Sequence, residues 1–257
     1  SSAGGISIAI LAGDNILNAQ ESGKDLLVRG TTSNVLAGQT VTVTLNGKTY
    51  TAKVDAQGNW NTTIPTADLK ALPNDGNYLL KASVSDQNHN TVTDQENLLV
   101  VTHHLPQPTL NPPFGDGYLN GSEAQKDQTL SGTTGSKGPG QTVIVTIGGK
   151  EYTGSVDENG NWSVTVPAGD LQHLPAGTVP INVNVTDQAG NPGSTQANST
   201  VDTTPPVLNV APFAGDNVLS ASEAGKAQIV SGQTTPDEKG QTVTVSFNGK
   251  NYTAIVD

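Results

Sequence analysis

Hydrophobic residues along this chain recur at every second position. In QTVTVTLNGKTYTAKVD (39–55), Val41, Val43 and Leu45 alternate with threonine, Asn46-Gly47 interrupts, and Tyr50, Ala52 and Val54 resume the alternation. A period of two is that of a strand with one buried face. Asn-Gly between two such runs supplies the positive φ of a tight hairpin turn. The pattern returns as QTVIVTIGGKEYTGSVD over 141–157 and QTVTVSFNGKNYTAIVD over 241–257. Further turns are predicted at AQGNW and ENGNW, a short strand at WSVTVP (162–167) and one-turn connections at ADLKALP and GDLQHLP. VPINVNVTD (179–187) is the longest predicted strand, and the last one ends near VDTTPP (201–206).

The spacing of these segments predicts the architecture. Asp14, Asp116 and Asp216 lie 102 and 100 residues apart, and Asp55, Asp157 and Asp257 show the same two intervals. Trp60 and Trp162 are 102 apart. Repeats of this length are duplicated domains rather than solenoid units. Seven short antiparallel strands in about 100 residues predict an all-β fold of tandem seven-stranded immunoglobulin-like β-sandwich domains in an extended rod. The expected domains are 1–103, 104–204 and 205–257. The last is expected to be the truncated N-terminal part of a third sandwich, because three more strands follow Asp157 in the second copy and the equivalent Asp257 is the final residue. Trp60 and Trp162 open strands and are read as core residues; a sugar-stacking platform would require exposed indoles.

Composition narrows the function. The chain has 257 residues, 33% hydrophobic and 14% charged, with 29 Gly and 15 Pro. Its net charge of −11 includes no basic stripe, which argues against nucleic acid. An acidic chain can instead hold hard cations. There is no Cys and no Met, so a fragment or processed piece is expected, with no signal peptide legible. Lack of Cys suits the cytosol, or an exported protein with another staple. No apolar run reaches the roughly 18 residues of a membrane helix. His89, His103, His104 and His173 share no repeat position, and no nucleophile elbow, phosphate loop or zinc signature is present, so no enzyme is expected.

The motifs GQTVTVxxNGKxYTAxVD, GNW, DLxxLPxG, VTDQAGN and VDTTPP, in fixed order over nearly all 257 residues, resemble the bacterial immunoglobulin-like repeats of giant type I-secreted surface adhesins. The resemblance implies an extracellular, calcium-binding, monomeric rod at the bacterial surface. Such a rod carries an adhesive end to a host-cell receptor, a glycan or glycoprotein, in the service of adhesion and virulence. The alternative is that these domains themselves bind a host glycan or protein.

Seven alternating strands that enter at one end of a sandwich leave at the other, so the exit end of each unit meets the entry end of the next. For the first joint this brings together Asp14, Glu21 and Asp68 with Asp157 and Asp187; for the second, Asp116, Glu123 and Asp170 with Asp202 and then Asp257, and Asn120 is a further candidate ligand. Asp216 and Glu223 are the third copy's equivalents. Two unit charges 4 Å apart repel by about 4 kcal/mol at an effective dielectric of 20, so clustered carboxylates spread apart, protonate or hold a cation. Oxygen donors without Cys favour Ca2+. Local roles compete. NAQE, NGSE and SASE match capping boxes, which would occupy Glu21, Glu123 and Glu223. Asp14, Asp55, Asp86 and their equivalents begin turns, where Asp bonds its own backbone. Thr102 stands where the second linker has Asp202, so the first linker is expected to bind metal more weakly; His103 and His104 are read as exposed linker residues.

Overall fold

In the computed structural model, residues 2–205, 207–235 and 238–257 are described. The alternation becomes burial directly: Val41, Val43 and Leu45 are 0%, 0% and 3% exposed, and their threonine neighbours face outward. Asn46 and Gly47, with φ of 50° and 78°, close the hairpin between β4 (Thr40–Leu45) and β5 (Lys48–Lys53). Both angles belong to a turn whose twist matches that of the strands it joins.

The first sandwich adds β1 (Gly5–Ile8), β2 (Ile16–Asn18), β3 (Leu26–Ser33), β6 (Asn59–Ile64), β7 (Gly76–Ser85) and β8 (Thr91–Val101). One sheet has the order β1-β3-β6, the other β2-β8-β7-β4-β5. Trp60, Ile64, Leu80 and Leu98 fill the space between them. Helix α1 (Thr66–Lys70) seals the exit end with buried Leu69.

The second sandwich repeats this with β9 (Tyr118–Asn120), β10 (Gln128–Thr133), β11 (Thr142–Ile147), β12 (Lys150–Val156), β13 (Asn161–Val166), α2 (Ala168–Leu171), β14 (Gly177–Thr186) and β15 (Pro192–Asp202). Its strands form one continuous order, β10-β13-β12-β11-β14-β15-β9, because β12 pairs with both β11 and β13. Residues 107–111 run beside 131–134 through three backbone hydrogen bonds, taking the place of β1. Trp162 is 2% exposed, so both tryptophans belong to cores.

One sequence expectation is corrected here. Alternation predicts no strand within GDGYLNGSE (115–123), yet Tyr118–Asn120 is one. In the first copy the equivalent β2 lies parallel to β8, whereas β1 is antiparallel to β3 in the other sheet. The first strand therefore splits and changes sheets. Three residues are too short for alternation to reveal; burial of Leu17 and Leu119 at 0% exposure holds them in place.

Beyond Val201 the chain forms two separate pairs, β16 (Leu208–Val210) with β17 (Gly232–Thr234) and β18 (Thr242–Phe247) with β19 (Lys250–Ile255). A short helix, α3 (Ala221–Ala224), lies between the first pair's strands in sequence. Among the described residues from 202 onward none is buried. Ile229 is 86% exposed and Phe247 56%.

Candidate functional site at the first joint

The repeated acids have backbone partners. Asp14, Asp116 and Asp216 each accept, through Oδ1, the amide two residues on: Ile16 at 3.0 Å, Tyr118 at 2.9 Å and Val218 at 2.9 Å. Each such turn directs the chain into the segment that follows it. Asp55, Asp86, Asp157 and Asp187 do the same for two amides apiece in the strand-to-strand turns. Those bonds hold the carboxyls of Asp86 and Asp157 below the usual range, led by the amides of Asn90 and Asn161 respectively. Glu21 and Asn18 form a reciprocal pair, each side chain accepting the other's backbone amide. Glu223 closes a capping box with Ser220, and Asn120 and Glu123 are also engaged.

Asp68 and Asp170, expected at the joints, are occupied within their own sandwiches. Asp68 accepts Lys48 Nζ at 2.6 Å and the Tyr50 hydroxyl at 2.7 Å. Asp170 accepts Lys150 Nζ at 2.8 Å and the Tyr152 hydroxyl at 2.7 Å. The lysine and then the tyrosine depress both carboxyls. Burial first, and the adjacent carboxylate second, push both phenols up to about 12. The motif GKxY supplies the cation and the phenol, so DL in DLxxLP closes a hairpin-to-helix brace.

What meets at the first joint is a set of amides. Asn191, 1% exposed, ends the DQAGN turn. Its Oδ1 accepts Ala19 N at 2.8 Å; its Nδ2 donates to Val101 O at 2.8 Å and to Asp187 Oδ2 at 2.9 Å. Asn18 Nδ2 donates to Ala189 O at 3.1 Å. The turn at the entry of the second sandwich is thereby tied to β2 and β8 at the exit of the first.

A carboxylate absent from the sequence expectations holds the linker. Asp75 Oδ1 accepts Thr102 N at 2.9 Å and His103 N at 3.0 Å, and Oδ2 accepts His104 N at 2.8 Å. His103 Nδ1 lies 3.1 Å from Oδ1. Burial raises the Asp75 carboxyl, but these donors outweigh it and hold it at about 2. The histidines are exposed, as expected, yet not idle: His104 Nε2 donates to Gly135 O at 2.8 Å. The signal for Asp75 was one of alignment. LPNDG in the first copy faces LPAG in the second, so the acid appears only where the linker lacks one.

This donor set does not fit calcium at the first joint. Both Asp75 oxygens receive N–H groups, whose hydrogens would face an incoming cation. Among the described residues no three His, Asp or Glu side chains gather as a metal would require. Ca2+ takes six to eight oxygens. In the second linker Asp202 accepts Thr204 N at 3.2 Å.

The comparisons place these modules among known ones. Residues 123–203 match the model of the bacterial Ig-like domain. A bacterial immunoglobulin-like domain from the M. primoryensis ice-binding adhesin is 31% identical; the match spans 39% of this chain and 100% of that one, with a TM-score of 0.33. The chain belongs to the bacterial Ig-like domain family. Its Ig-like repeats also resemble a structure described as a Ca2+-stabilized adhesin that helps an Antarctic bacterium reach out and bind ice. That match has 34% identity, covers 100% of this chain and 64% of that one, and has a TM-score of 0.46. A 1.5-MDa bacterial ice-binding adhesin gives 31% identity, 99% and 83% coverage, and a TM-score of 0.46. The chain thus spans under two thirds of the first of these two structures, and the kinship rests on sequence rather than superposition. Among curated proteins none matches.

Proposed function

We propose that this chain is a repeat segment of a bacterial surface adhesin: a non-enzymatic, extracellular spacer that carries a separate adhesive end away from the cell. The observation that carries the reading is the amide joint between consecutive Ig-like domains, with Asn191 bonded to both Ala19 and Val101. Ordinary interdomain contacts permit motion, and a spacer gains reach only where swivelling is limited. The tandem repeat and its sequence kinship to adhesin domains support the same role. Type I secretion and a glycan or glycoprotein receptor for the parent protein belong to this proposal.

Calcium belongs to it as well, at carboxylates outside the first joint. Asp116, Asp202 and Asp216 each use one oxygen in a turn, whereas Asp170 and Glu223 are already committed to Lys150, Tyr152 and Ser220. Calcium would add charge neutralisation and, by mass action, stability to the folded modules. Calorimetric titration is the test: binding with Kd of roughly 10⁻⁴–10⁻³ M is expected, as in extracellular modules. No heat at millimolar calcium would remove calcium from the role. A glycan array probed with this chain is expected to stay blank, and specific binding there would replace the spacer reading with direct recognition.

A further inference from the structure

We infer that the first joint is a metal-independent lock, built from Asn191, Asn18 and Asp75, and that the chain therefore carries two chemically different kinds of linker. The sequence exchange is reciprocal. The first copy has Asp75 before β7 and Thr102 in the linker; the second has Ala176 before the equivalent β14 and Asp202 in the linker. One carboxylate is kept per linker, but it changes sides. Moved to Asp75, it turns inward onto the amides of Thr102, His103 and His104 and becomes 21% exposed. A carboxylate committed to three N–H donors has little left for a cation, and a cation there would meet donor hydrogens instead of lone pairs.

Asn191 completes the lock. Its acceptor and both its donor hydrogens are used, on three backbone or carboxylate partners, at 1% exposure. Asn18 Oδ1 takes Glu21 N while its Nδ2 reaches Ala189 O. His104 ties the linker to Gly135. The Asn191–Ala19, Asn191–Val101, Asn18–Ala189 and His104–Gly135 bonds cross between elements that a free hinge would separate, and the two sandwiches fall within one compact unit. This inference stands whether or not the segment serves an adhesin.

The absence of Cys makes the test clean, since labels can be placed at Ala56→Cys and Thr165→Cys, both exposed positions on different sandwiches. Pulsed electron–electron resonance on the full chain then reads the distance distribution across the joint. One narrow distribution is expected, unchanged between millimolar calcium and excess chelator. Asn191→Ala is expected to widen it about twofold in both conditions, toward the freedom of an ordinary interdomain contact; Asp75→Ala is expected to widen it too. Circular dichroism melts of each variant verify folding. If Asn191→Ala unfolds the second sandwich, Asp75→Ala decides alone. Widening of the unsubstituted chain on chelation would overturn the inference, as would a folded Asp75→Ala with an unaltered distribution. Neither result bears on the glycan array or the calcium titration.

Discussion

Asp75 shows how much one side chain can organise. Its carboxyl sits near 2 because the amides of the linker point at it. Since the folded value lies below the unfolded one, its stabilisation is complete above about pH 4 and is lost as pH falls toward 2. Holding the carboxyl at about 2 instead of its ordinary value corresponds to about 2 kcal/mol. Asp75→Asn should therefore lower stability by roughly that amount at pH 7 and by little at pH 2, read from denaturant titrations at the two pH values. Glycine matters for a different reason at Gly30 and Gly132. A Cβ at Gly30 would run into Ser7 O and the Trp60 ring; at Gly132 it would meet Thr109 O and Trp162 Nε1. Gly30→Ala is expected to cost about 2–3 kcal/mol, by the overpacking of a filled core, and to lower the melting temperature accordingly.

Strands and turns were the legible part of the molecule, and the reason is period. β4 and β11 bury every second side chain over six residues, and β5 and β12 turn theirs at least half inward at Tyr50, Ala52, Tyr152 and Val156, which alternation declares. β2 and β9, at three residues each, declare nothing and were missed. The acids were legible as repeated positions but not as roles. Asp14 and Asp68 look alike in sequence, yet one closes a turn and the other joins a lysine and a tyrosine from a neighbouring hairpin. Asn18 was legible as a cap for Glu21, but its reach to Ala189 and the role of Asn191 were not, because neutral amides carry no charge pattern and these bonds form only where two modules meet. The lysine–tyrosine–aspartate brace yields its own prediction. Tyr50 and Tyr152 should ionise near pH 12. Asp170→Asn should bring Tyr152 back toward 10 and leave Tyr50 in place, as followed by ultraviolet absorbance. Because the folded value is raised, the phenol's contribution is full below pH 10 and fades as pH climbs through 12.

The modules differ in how far their cores are closed. Two carry closed cores, from Ile8 to Val100 and from Phe114 to Val201. Among its described residues, the segment after Val201 pairs its strands two by two and leaves Val210, Ile229 and Phe247 open to solvent. Amides of β18 and β19 should consequently exchange with solvent at least about a hundredfold faster than those of β11 and β14, since protection follows buried contact. Hydrogen-exchange mass spectrometry checks this peptide by peptide. The sheet-switching first strand has one more effect, on traction. Ile16–Asn18 lies alongside Leu99–Val101 and runs the same way. Drawing on the two ends of that module drags these neighbours past each other lengthwise, so their bonds share the strain at once instead of opening in succession. A module whose outermost strands grip in this fashion gives way late under load.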